Sequence, residues 1–74
     1  MDPDFSSYIK ALQEFYNEAA WWNYAKQTND KAGENKYLKV MKEKAQILQS
    51  ELKKLPEDMV SDRVQDHINK TLSL

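Results

Sequence analysis

Along residues 4–27 the apolar side chains recur at the three- and four-residue steps of a helical face. With Phe5 at zero and about 100° per residue, Phe5, Tyr8, Ile9, Leu12, Phe15, Tyr16, Ala19, Ala20 and Trp22 fall on one broad arc centred near Leu12. Lys10, Glu14, Asn17 and Glu18 take the opposite side. Trp21 lies about half a turn from Leu12, among those polar residues. One core cannot receive Trp21 and Trp22 from the same direction, so one of them needs a second surface.

A second helix is predicted over 31–55. Leu38, Met41, Ala45, Leu48, Leu52 and Leu55 alternate at steps of three and four, a coiled-coil-type seam widened by Tyr37, Val40 and Ile47. It stops at Leu55-Pro56, because a residue before proline is pushed out of the α region. A third helix is predicted over 57–71, with Pro56, Glu57 and Asp58 suited to its start and Val60, Val64, Ile68 and Leu72 forming a narrow stripe beside Met59. Asp2, Pro3 and Asp4 suit the start of the first helix. The reversal between helices 1 and 2 falls within 27–34, with Gly33 either closing the first helix or opening the second.

The expected architecture is therefore all-α: an antiparallel three-helix bundle, one domain over 1–74. A single glycine and two prolines leave little material for the turns of a strand-based fold. Helices of about 24 residues span about 36 Å, and one of about 15 spans about 22 Å. The third helix should then run parallel to the first, cover roughly its first 15 residues and stop short of Trp21. Seven of the eight aromatic residues lie in 5–24, so the hairpin end becomes a ledge carrying Trp21, Trp22, Tyr24 and Tyr37, with Glu18 beside it.

Composition removes several function classes. Eleven basic and twelve acidic residues give a net charge of −1, which offers no overall attraction to nucleic acid or anionic membrane. Charge is partitioned, however: a net −3 over 1–30, +4 over 31–55 and −2 over 56–74, so a basic middle helix sits between acidic ones. The lysines Lys36, Lys39, Lys42, Lys44, Lys53 and Lys54 are scattered around their helix, and arginine occurs once, which disfavours a nucleic-acid partner. No run approaches a membrane span, no secretory signal opens the chain, and the acidic polar face of helix 1 is wrong for a membrane-surface helix. Without cysteine the chain suits a reducing compartment, and the expectation is a soluble cytoplasmic protein.

Candidate chemistry is sparse. His67 is the single histidine; with Asp58, Asp62 and Asp66 it would suit a hard metal, but a solvated acidic face balanced by Arg63 and Lys70 is the simpler reading. Glu14 and Glu18, one turn apart on the polar side, read as solvated rather than catalytic. No glycine-rich phosphate loop exists. No enzyme, metal or cofactor is expected.

Residues Ala20 to Asn29, Ala-Trp-Trp-Asn-Tyr-Ala-Lys-Gln-Thr-Asn, resemble the end of an N-terminal helix in angiotensin-converting-type zinc peptidases. That resemblance implies a helical hairpin. The His-Glu-x-x-His that holds zinc in that family is missing here, so no activity carries over. The expected function is a small protein-binding module, an adaptor or inhibitor docking through Trp21, Trp22, Tyr24, Tyr37 and Glu18. The alternative is a homo-oligomer in which two hairpins pair their aromatic ends.

Overall fold

A computed structural model describes residues 5–74, and the capping roles expected of Asp2, Pro3 and Asp4 lie outside them. Three α-helices follow one another: α1 (Ser6–Gln27), α2 (Lys31–Leu52) and α3 (Asp62–Leu72), with a 3₁₀ turn at Glu57–Met59 ahead of α3. The helices α1 and α2 pack closely as a hairpin and α3 packs on α2, an all-α three-helix bundle.

The hairpin turn takes three residues because each supplies a specific backbone service. Asn29 adopts a left-handed conformation, φ 57°. This lets the Asp30 N–H donate to Ala25 O at 2.9 Å and the Asn29 N–H to Lys26 O at 3.2 Å, the paired bonds of a Schellman ending. Asp30 at once caps α2, its carboxylate accepting from the Gly33 N–H at 2.9 Å. Gly33 therefore opens the second helix. Its φ is not positive, and its lack of a side chain serves space instead: a Cβ there would collide with the Asp30 carboxylate.

The core joins Ala11 and Phe15 of α1, Met41, Ala45, Leu48 and Leu52 of α2, and Val64 and Ile68 of α3. Phe15, Leu48 and Ile68 are fully enclosed. Each such side chain contributes about 1.5–3 kcal/mol by leaving water. The expected arc of α1 faces inward in large part, since Phe15 is buried and Tyr8, Leu12, Tyr16, Ala19 and Trp22 pack on the core, but Ala11 and Ala25 are buried too and shift its centre toward their side. Leu12 is half-buried, Ala20 is exposed, and Ile9 is 49% exposed. Small residues explain the shift. Ala11, Ala25 and Ala45 are buried, and their short side chains let helix backbones approach where a larger residue would hold them apart.

The third helix starts at Asp62 and not at residue 57, and α2 ends at Leu52 and not at 55. Pro56 (ψ 144°), Val60 (ψ 124°) and Ser61 (ψ 125°) are extended, so the 3₁₀ turn between them cannot continue into an α-helix. Ser61 then caps α3, its hydroxyl accepting from the Val64 N–H. Leu55 and Val60 still pack on the core from this connection, whereas Met59 is exposed.

The late start also moves α3 along the bundle. Its beginning lies beside the end of α2, where Gln65 and Ile68 share a cleft with Gln49 and Leu52. Its end reaches Lys42, whose Nζ donates to the Leu74 carbonyl at 2.6 Å, and Leu74 lies beside Trp22 and Asn23. The chain after α3 therefore reaches the level of Trp22 on α1, past its first 15 residues.

Candidate protein-binding surface

Trp21 stays uncovered for an angular reason, not because α3 is too short. On α1 the Trp22 ring turns to the side that α3 shares, while Trp21 points to the other flank of the hairpin. There its indole stacks on Tyr37 of α2, with centroids 6.1 Å apart and planes at 24°. Tyr24, one turn along α1, meets the same indole edge-on at 6.2 Å and 90°. Trp21 remains 47% exposed and Tyr24 61%. Tyr37 is half-buried, with the Lys36 ammonium 5.9 Å from its ring. Asn17 and Ala20 complete a shallow rim beside Trp21 and Tyr24.

Trp21 joins the three rings, stacked on Tyr37 and edge-on to Tyr24, so their arrangement exists before anything binds. Farther along the hairpin, the Lys44 ammonium lies 3.4 Å from the Glu14 carboxylate and ties α2 to α1. Both are partly exposed, so the pair contributes only about 0–1 kcal/mol. Glu14 is thus an interhelix partner rather than a fully solvated acid. Glu18 lies half-buried on the same helix.

Of the residues expected on the ledge, Trp21, Tyr24 and Tyr37 come together, and Trp22 does not join them. Trp22 packs against the core on the other flank, with the Lys26 ammonium 4.3 Å above its ring. Its indole Nε1 is buried and has no hydrogen-bond partner among the described residues. A buried donor left unmatched costs about 1–3 kcal/mol.

His67 also departs from the solvated reading. It is half-buried, and the Tyr16 hydroxyl lies 2.7 Å from its Nδ1, joining α1 to α3 across the bundle. The two rings meet edge-on at 5.6 Å. Burial raises the Tyr16 phenol above its usual value of 10.0, opposed by the nearby Arg63 charge and reinforced by Tyr8. No sequence rule pairs residues 51 positions apart, and only the helical register of Tyr16 on the apolar arc hinted at an inward hydroxyl. Asp66, expected in an acidic ladder, pairs with Lys70 at 2.9 Å. Among the described residues no group of three or more His, Cys, Asp or Glu is placed to hold a metal ion. No helix among them is long and apolar enough to cross a membrane.

Beside Trp22, α1 and α3 leave a groove of about 380 Å³. Phe15, Tyr16, Trp22 and Met41 wall it, and His67 and Lys70 stand at its edge.

No family model, curated protein or solved structure matches the chain.

Proposed function

We propose that this chain is a small non-catalytic binding module, an adaptor or inhibitor, that docks on another protein through Trp21, Tyr24 and Tyr37. The observation that carries the reading is the exposed Trp21 indole, stacked on the half-buried Tyr37 and met edge-on by the exposed Tyr24, on the hairpin flank away from α3. Tryptophan and tyrosine anchor most interface energy because they bury large rings at little entropic cost. Each ring of this cluster keeps a polar edge, which suits a contact that forms and dissolves in water. Trp22, packed on the core on the other flank, is left out of this contact. A cytoplasmic setting suits a chain without cysteine.

The test is affinity capture of partners from native lysate by the intact chain, by Trp21→Ala and by Tyr24→Ala. Specific partners should be lost with both variants while the far-ultraviolet circular dichroism and the melting temperature barely change. Retention of every partner by both well-folded variants overturns the proposal. Melting at several protein concentrations distinguishes a second copy from a different protein, because only self-association raises the melting temperature with concentration.

A further inference from the structure

A cleft of about 410 Å³ lies between the end of α2 and α3, where the connection joins them. It is at the opposite end of α2 from Tyr37 and shares no residue with the aromatic ledge. Its floor is aliphatic: Leu52 and Ile68 belong to the core, and Leu55 and Val60 pack against it. Its rim is polar. Gln49 lines it from α2, and Gln65 and Asn69, one turn apart, line it from α3. Lys53 and Glu57 line it as well. None of these five side chains makes a hydrogen bond or an ion pair with a described residue. Lys53 and Glu57 therefore share the cleft without touching, whereas the neighbouring Lys54 and Glu51 pair at 3.3 Å.

We propose that this cleft binds a short peptide with free ends and aliphatic side chains, its ammonium on Glu57, its carboxylate on Lys53 and its peptide group on the carboxamides. Charge decides the class of ligand. A simple anion or cation entering the cleft would meet one opposite charge and one like charge, whereas a zwitterion satisfies both in charge-assisted hydrogen bonds. Lys53 and Glu57 stand apart, and a dipeptide holds its own two charges apart by the peptide group between them. That group offers one donor and one acceptor, as each carboxamide does, so the two kinds of amide pair side by side. Carboxamides on both helices clasp a main chain laid between them. The aliphatic floor takes the side chains out of water, and the volume is at the small end of ligand pockets, which suits a ligand of very few residues.

The test titrates leucyl-leucine into ¹⁵N-labelled protein, with N-acetyl-leucyl-leucine amide, which has the same side chains and no charge, as the control. The side-chain amide signals of Gln49, Gln65 and Asn69 should shift and saturate at millimolar dipeptide, while the indole signals of Trp21 and Trp22 stay in place. The blocked peptide should bind about tenfold more weakly or worse. Lys53→Gln and Glu57→Gln, both at exposed positions and folded by their amide spectra, should each weaken leucyl-leucine binding about tenfold. Unmoved carboxamide signals at millimolar dipeptide overturn the proposal. So does equal binding of the blocked peptide, an equal response of the indoles, or unchanged affinity in either charge variant.

Discussion

Adjacent tryptophans on one helix have different physical duties here. Trp21 leans on Tyr37 and Tyr24 and keeps nearly half its surface in water, so Trp21→Ala should cost about 1 kcal/mol or less. Trp22 packs on the core, and Trp22→Ala should cost about 3–5 kcal/mol, a difference that paired urea denaturation curves would show. Tyr16→Phe removes the hydroxyl that meets His67 and should cost about 1 kcal/mol near neutral pH. The pH dependence has a definite sign. Because the folded phenol titrates above its unfolded value, the stability it contributes is complete below pH 10.0 and is lost as pH rises through the folded pKa. The difference between wild type and Tyr16→Phe should therefore shrink in alkaline melts, and a difference that grows would contradict the assignment.

At the level of the elements, the hairpin turn offers a cycle with a clear outcome. Asp30→Ala removes the cap of α2 and should cost about 1 kcal/mol. Gly33→Ala alone should be nearly neutral, since its gain of about 1 kcal/mol in helix propensity is offset by the collision with the Asp30 carboxylate. In the Asp30→Ala background the same Gly33→Ala change should stabilise by about 1 kcal/mol, read from thermal denaturation of the four proteins. The seam of α2 was legible in the sequence because Met41, Ala45, Leu48 and Leu52 face two neighbours across one continuous stripe. The face of α1 was legible in part: Tyr8, Leu12, Phe15, Tyr16, Ala19 and Trp22 sit at the core, as their arc implied, while the buried Ala11 and Ala25 lie outside that arc. Its large apolar residues surround much of the helix, and the alanines that shift the buried side weigh little in a count of apolar side chains. The left-handed turn residue proved to be Asn29, not the only glycine, since Asn tolerates that conformation and Gly33 answers a steric demand instead. Pro56 signalled a break, but the extended Val60-Ser61 step that delays α3 depends on Ser61 as a cap, which the apolar stripe through Val60 concealed.

The whole molecule rests on a small shared core. Eight buried hydrophobic residues from three helices form its centre, and a bundle of this size retains only a few kcal/mol of net stability. Leu48→Ala, at a fully enclosed position, should cost about 2–5 kcal/mol and leave much of the chain unfolded at 37 °C, visible as lost helical circular dichroism. By contrast, exchanging the ledge residues should leave the bundle standing, because Trp21 and Tyr24 lie outside that cluster. Of the candidate ledge, the exposure of Trp21 and its neighbourhood with Tyr24 and Tyr37 followed from helical angle alone. The groove beside Trp22 and the Tyr16–His67 contact required the true position of α3, which depends on a start five residues later than the sequence pattern indicated.

The separation of the two indoles gives the chain a pair of built-in optical probes. With Trp22→Phe, the remaining Trp21 fluorophore keeps nearly half its surface in water and should emit at longer wavelength with readier quenching by iodide. With Trp21→Phe, the remaining Trp22 sits beside Leu74 and the end of α3, and should emit at shorter wavelength. Stopped-flow traces of the second protein would then time the detachment of the last helix, while the first would shift its emission only when something lands on the opposite flank.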